Sequence, residues 1–356
     1  MHAGIDKELL TLLSAMAERD ASDLHLVPGN RPMYRVHGQL APADGHVVDP
    51  ARVIEMVASI ATGPMAGRLS GETDLDFAIQ APGGRRFRVN VFSARGQRGA
   101  CFRAIPEAVP EIEALGFPAD LAEKILALGG GLVLVTGITG SGKSTTIAGL
   151  LGRLNARGNC RIITIEEPVE YVYPPVAGSI VTQREVGVDV GSFSEGLRFG
   201  LRQDPDVLLV GEIRDRETAQ LAISAAETGH LIFGTLHSAD AKGAITRLVD
   251  IFPADLHDDV LTQLSMSLRY VVCQHLLPSM AGGRRVLALE VLFASFAVRS
   301  AIRQGKIEAL ESAIQSGRKD GMFSLDMDLQ RLLDRKLISP ETAREFAKDP
   351  AEFERR

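Results

Sequence analysis

The sequence predicts an α/β protein whose larger part is a doubly wound sheet with helices on both faces. Two observations predict it. From about residue 131, short apolar runs alternate with stretches of helical periodicity, and the first run leads through a glycine-rich turn into a helix. Strands that are buried on both faces read as continuous apolar runs, because helices cover both sides of such a sheet. The predicted strands are residues 132–136, 162–165, 207–210 and 231–236.

Residues 1–106 are predicted to form a separate domain of mixed strands and helices. Pro106 and Pro110 bracket a predicted linker, which we place at 107–117. Residues 118–356 then form the second domain, and its part after about residue 254 is predicted to be mostly helical. The elements predicted in the first domain are a helix carrying Ile5, Leu9, Leu12, Leu13 and Met16, and strands at 36–40 and 86–92.

Composition and charge exclude several classes of function. The chain has 356 residues, a net charge of -6 and a pI near 5.8. This balance argues against a protein that coats nucleic acid, since phosphate binding usually leaves a basic footprint. The three cysteines form no disulfide framework, so a reducing cytoplasm is the expected compartment. We expect no transmembrane segment, because the longest apolar stretch, 286–298, falls short of the roughly 20 residues that a span needs.

A phosphate-binding loop is predicted at 137–144, where the sequence GITGSGKS matches the pattern G-x-x-x-x-G-K-[ST]. Its context agrees, because a buried strand precedes it and a helix follows. Lys143 is expected on the β- and γ-phosphates of ATP, and Ser144 on Mg²⁺. The alternative is a glycine-rich turn with an incidental lysine. The predicted nucleotide-binding residues are Gly137, Thr139, Gly140, Ser141, Gly142, Lys143, Ser144 and Thr145.

Carboxylates follow two of the predicted strands. Glu212 comes after 207–210, where an acid beside a nucleotide holds a magnesium-bound water or positions the attacking water. Glu166, Glu167 and Glu170 follow 162–165, and three acids so close repel one another unless a cation or a polarised water lies nearby. The alternative for such acids is a solvated strand end.

His230 and His237 flank the strand 231–236, so they are predicted to lie at its two ends. They are either functional or simply satisfied core or surface residues, and no cysteine at ligand spacing supports a zinc site. Arginines form a third cluster, with no acid between Asp76 and Glu107. The cluster is either the solvated face of a β-hairpin or a set offered to the phosphates of a neighbouring subunit. Its members are Arg85, Arg86, Arg88, Arg95, Arg98 and Arg103.

Taken together, these motifs resemble those of hexameric secretion ATPases of the PilT/PilU branch, the motors that retract type IV pili. The resemblance covers nearly the whole chain, with the motifs in the same order. It implies a PAS-like N-terminal domain joined flexibly to a RecA-like ATPase domain, assembled as a ring of six. Besides the phosphate loop, it rests on residues 21–26 (ASDLHL), 86–90 (RFRVN), 164–170 (TIEEPVE), 183–186 (QREV), 201–212 and 225–237.

The resemblance also implies roles for particular residues. Glu170 matches the acidic-box glutamate that polarises the attacking water, and Glu212 matches the Walker B glutamate, which holds Mg²⁺ through a water. His230 and His237 match two histidines that sense the γ-phosphate. Further matches, to arginines of the N-terminal domain that reach the neighbour's nucleotide, are Arg88 and Arg103.

The same resemblance implies the partner and the location. The expected function is an Mg²⁺-dependent ATPase of pilus retraction and twitching motility, a homohexamer at the cytoplasmic face of the inner membrane that contacts a pilus platform protein. The retraction motif Ala-Ile-Arg-Asn-Leu-Ile-Arg-Glu is altered at 297–304 (AVRSAIRQ), which retains Arg299 and Arg303. An accessory PilU-like motor or another secretion motor is therefore the alternative, and a RecA-like nucleic-acid motor is a more distant one.

Overall fold

The computed structural model describes residues 5–36, 38–61, 67, 69, 74–106, 108–283 and 285–353. The chain forms two compact units. The N-terminal unit comprises Met1–Ala108 together with two later segments, Glu167–Val172 and Glu185–Gly191. The C-terminal unit comprises Val109–Glu166, Tyr173–Arg184 and Ser192–Arg356.

The N-terminal unit contains a six-stranded antiparallel sheet with the strand order β3-β2-β1-β6-β5-β4. One face is apolar, and it packs with two helices into one buried core. The other face carries the charged side chains of β5 and β6, because successive residues of a strand point to opposite faces. The elements are α1 (Lys7–Glu18), β1 (Ala21–Leu26), β2 (Met33–Val36), β3 (Gln39–Pro42), α2 (Pro50–Ala58), β4 (Leu75–Gln80), β5 (Arg86–Ala94) and β6 (Gln97–Ile105).

The predicted first helix and the strand at 86–92 are confirmed as α1 and β5. Asp6 caps α1, because its carboxylate accepts hydrogen bonds from the backbone N–H groups of Glu8 and Leu9. The strand predicted over 36–40 is wrong. Its residues belong to two antiparallel strands in which Val36 pairs with Gln39, so the segment contains a tight reversal.

The C-terminal unit is a seven-stranded sheet in the order β13-β12-β7-β11-β10-β8-β9. The described strands β12, β7, β11, β10 and β8 run parallel to their neighbours, and β13 pairs antiparallel to β12. The strands are β7 (Gly131–Thr136), β8 (Cys160–Glu166), β9 (Ser179–Glu185), β10 (Val207–Val210), β11 (Leu231–Leu236), β12 (Leu268–Pro278) and β13 (Arg285–Phe293).

Helices accompany this sheet, and four of its strands coincide with the predicted apolar runs. Every residue of β7, β10 and β11 is buried, which explains why these strands read as unbroken apolar runs. The helices are α3 (Ala119–Leu126), α4 (Lys143–Arg157), α5 (Phe193–Gly200), α6 (Arg216–Glu227), α7 (Ala241–Asp250), α8 (His257–Ser267), α9 (Phe296–Arg303), α10 (Ala309–Ser316), α11 (Leu325–Asp334) and α12 (Pro340–Phe346).

The prediction of a mostly helical region after residue 254 is wrong in part. Two long strands, β12 and β13, extend the sheet there before the chain becomes helical. Their apolar runs carry no clear periodicity, and a short continuous apolar run does not distinguish a buried strand from a buried helix. Within the described ranges, no helix has both the length and the apolar character needed to cross a membrane.

Candidate nucleotide-binding site

The predicted phosphate loop lies between β7, which ends at Thr136, and α4, which begins at Lys143. Gly137, Gly140 and Gly142 have φ angles of +146°, +79° and +88°, a region that L side chains rarely adopt. A Cβ atom on Gly137 would lie 2.4 Å from the Ser141 hydroxyl oxygen and 2.5 Å from a backbone oxygen of β12. Only glycine fits there, so the loop packs closely against β12.

The loop has the chemistry that binds phosphate. Lys143 Nζ donates hydrogen bonds to the carbonyl oxygens of Gly137 (2.8 Å) and Ile138 (3.1 Å), which places its charge over the loop. Among the residues that the structure describes, the buried hydroxyl of Ser141 has no hydrogen-bond partner. Free backbone N–H groups at the start of α4 attract anions, and Ser144 is the second residue of that helix. These residues fit a phosphate group with its metal ion.

Two residues that support this loop are absent from the sequence predictions. Gln274 on β12 is fully buried, and its Nε2 donates to the Ser141 carbonyl oxygen at 2.9 Å. Arg285 on β13 donates to the Gly140 carbonyl oxygen at 3.1 Å. The sequence contains one signal for Gln274, which is that a polar residue interrupts the apolar run of β12. Arg285 has no such signal, because its position depends on the pairing of two strands that were not predicted.

Three further predicted residues lie at the carboxyl edge of the sheet. The adjacent strands β7, β11, β10 and β8 are parallel, so the residues after them lie along one edge. His237 follows β11, Glu212 lies just beyond β10, and Glu166 ends β8. His237 Nε2 lies 3.4 Å from Glu212 Oε2. The structure therefore brings Glu212 and His237 together at the edge from which the phosphate loop also emerges.

Glu212 is held as a carboxylate. Burial would raise its pKa, but Arg214, whose Nη2 lies 2.7 Å from Glu212 Oε2, and His237 outweigh burial and leave the pKa below its ordinary value. The Glu212 side chain retains 17% exposure, so a ligand reaches it. A carboxylate that stays ionised at neutral pH suits a group that binds a hydrated cation or orients water.

His230 lies at the opposite edge of the sheet. It precedes β11, whose Leu231 pairs with Gly131 at the start of β7, whereas the loop follows the end of β7. A strand of six residues spans about 20 Å. The prediction that the two histidines lie at the two ends of the strand is confirmed. His230 thus lies at the edge opposite the phosphate loop of its own subunit, and the sensing of the γ-phosphate by the two histidines stays a prediction.

The acidic segment is divided between the units. Glu166 belongs to the C-terminal unit, where its Oε1 accepts hydrogen bonds from Thr164 Oγ1 (2.6 Å) and Gln183 Nε2 (3.2 Å). Glu170 belongs to the N-terminal unit, in the segment Glu167–Val172. Glu166 and Glu170 thus belong to different units.

A second acid of the N-terminal unit, Glu185, holds the segment that carries Glu170. Its Oε2 accepts from the Val169 backbone N–H at 3.1 Å, and its Oε1 accepts from the Ala78 backbone N–H at 3.3 Å. Burial raises the pKa of Glu185 above its ordinary value, against the effect of these donors and of Arg86. Glu185 lies in the motif 183–186 (QREV), and no local pattern in the sequence signals this contact.

Arg88 and Arg103 are direct cross-strand neighbours on β5 and β6. Arg88 Nε lies 3.4 Å from the exposed carboxylate of Asp76, and Arg103 Nε lies 2.8 Å from the buried carboxylate of Asp23. The hydrogen bond to Asp23 raises the pKa of Arg103, with a smaller contribution from Glu170. Both arginines thus lie on one sheet face, and their reach to a neighbour's nucleotide stays a prediction.

A profile of the family described as "Type II/IV secretion system protein" matches residues 2–320. The chain belongs to this family. A type IV pilus retraction ATPase, PilT of Pseudomonas aeruginosa, is 44% identical over 346 residues, which cover 97% of this chain and all of that protein. PilU of the same organism, a type IV pilus ATPase, is 37% identical over 94% of this chain and 87% of its own length.

Solved structures of the secretion family agree with this assignment. A crystal structure of the pilus retraction motor PilT with bound ADP has a TM-score of 0.88 and 41% identity, covering 98% of this chain and 99% of that one. The ATPase DotB of Legionella pneumophila has a TM-score of 0.82 and 26% identity, with 94% and 93% coverage. The expected resemblance to PilT-type ATPases and the expected fold, an N-terminal domain followed by a RecA-like ATPase domain, are confirmed.

Proposed function

We propose that this chain is an ATP-hydrolysing motor that powers type IV pilus retraction. The observation that carries the proposal is the carboxyl edge of the C-terminal sheet, where Glu212 and His237 share the edge with a phosphate loop. The similarity to PilT along 97% of the chain supports pilus retraction as the work done.

In the proposed mechanism, Lys143 and the N-terminus of α4 bind the β- and γ-phosphates of ATP. Ser144 and, through a water, Glu212 would hold Mg²⁺, which when bound would supply positive charge against the charge that develops on the phosphates. His237 holds the Glu212 carboxylate in place. The lowered pKa of Glu212 keeps it ionised throughout the neutral range.

Assembly completes the proposed site. Glu170 polarises the attacking water, and Arg88 and Arg103 stabilise the transition state of a neighbouring subunit in a homohexamer. Glu170, Arg88 and Arg103 belong to the N-terminal unit, and the phosphate loop belongs to the C-terminal unit. In this proposal, turnover therefore depends on the assembly of neighbouring subunits. The motor acts at the cytoplasmic face of the inner membrane and contacts the pilus platform protein, with Arg299 and Arg303 on α9 as the proposed contact.

The first test measures binding and hydrolysis separately. Lys143→Ala is expected to weaken nucleotide binding, because it removes a positive charge from the phosphates. Nucleotide affinity is measured with a fluorescent ADP, and ATP hydrolysis is measured with and without Mg²⁺. Lys124→Ala is the matched control, because the pair that Lys124 forms with Asp120 is exposed. Equal affinity in Lys143→Ala and wild type would contradict the proposal.

The second test concerns the client. Deletion of the gene is expected to leave cells with excess pili that do not retract and no twitching motility. The altered motif at 297–304 favours one other candidate, an accessory motor of the PilU type. In that case the deletion leaves retraction largely intact until a second retraction motor is also removed. Loss of pili altogether would contradict both candidates.

A further inference from the structure

The C-terminal helical segment contacts the turn that carries His237. We call residues 237–241, between β11 and α7, the histidine turn. The profile of the family ends at residue 320, so α11, α12 and the residues after them lie outside the matched part. Lys348, in this last segment, nevertheless lies 3.6 Å from the Asp240 carboxylate in the turn.

An ion pair between an exposed lysine and a buried carboxylate makes the contact. Lys348 Nζ lies 2.8 Å from Glu290 Oε2, and the Glu290 side chain on β13 is only 2% exposed. The other oxygen, Glu290 Oε1, accepts a hydrogen bond from the Ala241 backbone N–H at 2.9 Å. Burial would lower the pKa of Lys348, but Glu290 and Asp240 outweigh it and raise the pKa, so the lysine stays charged.

Both partners of this pair are fixed from outside the turn. Asp326 on α11 accepts hydrogen bonds from the Lys348 and Asp349 backbone N–H groups at 2.8 and 3.0 Å. Asp328, two residues further along α11, accepts from the backbone N–H of Leu289 on β13 at 2.8 Å. Hydrogen bonds from α11 thus hold the backbone at Lys348 and the backbone of β13 next to Glu290.

Further contacts hold the rest of the turn. His275 Nε2 lies 3.1 Å from the Ala239 carbonyl oxygen. At the start of α7, Lys242 Nζ pairs with Glu308 at 2.8 Å and with Glu311 at 3.5 Å. The C-terminal helical region thus contacts both the histidine turn and the start of α7. At the other end of the histidine turn, His237 contacts Glu212.

We propose that Lys348 and Glu290 are positioning residues that hold the histidine turn, so that the C-terminal helices set the orientation of His237 and Glu212 without touching the nucleotide. This rests on the proposed function. A displacement of about 1 Å at a reacting group costs up to 100-fold in rate.

The test compares Lys348→Met with wild type in the full-length assembled protein. The variant is expected to lose about 10-fold to 100-fold in kcat while its affinity for ADP stays unchanged, because the phosphate loop is untouched. Lys348→Arg is expected to recover most of the rate. The matched control is Arg344→Met in the same segment, whose partner Glu341 is 74% exposed, and it is expected to keep wild-type kcat.

Lys348→Met leaves the buried Glu290 charge unpaired, which can unfold the segment. Lys348→Met with Glu290→Gln removes both charges and keeps an acceptor for Ala241, so it carries the test if the single variant does not fold. Wild-type kcat in either folded variant overturns the proposal. An inactive wild type would instead contradict the proposed function.

Amide hydrogen exchange over residues 238–243 gives a readout that does not need catalysis. The Ala241 amide, which donates to Glu290, is expected to exchange faster in Lys348→Met than in wild type or Arg344→Met. Unchanged exchange overturns the positioning role even if hydrolysis cannot be measured.

Discussion

The two sheets of this protein present charged residues in different ways. In the C-terminal sheet, Glu212 and His237 stand just past the ends of parallel strands, on an edge that the topology brings together. In the N-terminal sheet, Arg88 and Arg103 stand in the middle of antiparallel strands and meet only through the register of β5 with β6.

The difference shows how each arrangement tolerates change. At the strand ends, each group has space on the ligand side, and Glu212 keeps a partly exposed carboxylate. On the sheet face, each arginine is already paired with an acid of its own unit, Asp76 or Asp23. Removing Glu212 is therefore expected to affect mainly chemistry, whereas removing Arg103, which is paired with a buried acid, is expected to affect stability as well.

The largest expected effect is on turnover in Arg88→Ala. If Arg88 acts on the neighbour's nucleotide, turnover falls about 10³-fold or more, as for other arginine fingers. Mixing equal amounts of Arg88→Ala and Lys143→Ala subunits should restore about a quarter of wild-type activity in randomly mixed rings, since one interface in four then carries both groups. Full ATPase activity in a strictly monomeric protein would contradict this role and would leave the arginines as part of a solvated sheet face.

Glu212→Gln tests the edge of the sheet. Turnover is expected to fall about 10²-fold to 10⁴-fold, while ATP affinity is retained, because the charge acts mainly in the transition state. Single-turnover hydrolysis and equilibrium binding separate the two effects. The control is Glu217→Gln, which breaks a surface pair with Arg198 in the same unit. Glu170→Gln is expected to behave like Glu212→Gln, and wild-type turnover would remove Glu170 from the reaction.

Arg103→Ala tests the coupling of chemistry and stability on the sheet face. Asp23 is only 6% exposed, so loss of Arg103 is expected to lower the free energy of unfolding by about 1–3 kcal/mol. Arg88→Ala is the control, and its exposed pair with Asp76 predicts a change below about 1 kcal/mol. Chemical denaturation measures both, and equal losses would contradict the comparison.

The pH dependence of the Arg103→Ala effect has a definite sign. Burial would raise the pKa of Asp23, but Ser22 and Arg103 outweigh it, so the folded pKa lies below the ordinary 3.8. A lowered pKa contributes stability above 3.8 that is lost as pH falls through the folded value. The difference in the free energy of unfolding between wild type and Arg103→Ala is therefore expected to become smaller as the pH falls from 3.8 through the folded pKa of Asp23.

The smallest expected effect is on the support of the phosphate loop. Gln274→Leu removes the hydrogen bond to the Ser141 carbonyl oxygen and leaves the side-chain volume nearly unchanged. Nucleotide affinity is expected to fall about fivefold, since a neutral hydrogen bond contributes about 1 kcal/mol net. Gln263→Leu, which breaks a bond to Gln220 between α8 and α6, is the control and should leave affinity unchanged.

The sequence by itself determined the α/β class, four buried strands of the C-terminal sheet, the phosphate loop and the positions of Glu212 and His237. Each of these depends on local signals: unbroken apolar runs, a glycine-rich turn, and polar residues directly after a strand. The strands β12 and β13 were not predicted from the sequence, because the apolar run of a buried strand has no periodicity that distinguishes it from a buried helix.

Only the tertiary structure decided which of these residues meet. Because β11 pairs parallel to β7, His230 lies at the edge of the sheet opposite the loop. In the sequence, His230 and His237 are equally close to the strand, since each is directly adjacent to one of its ends. Register set Arg103 beside Asp23, 80 residues away in the chain. Burial of Gln274, Glu185 and Glu290 gave them their partners, because hydrogen bonds between distant segments are specified by packing and leave no local pattern.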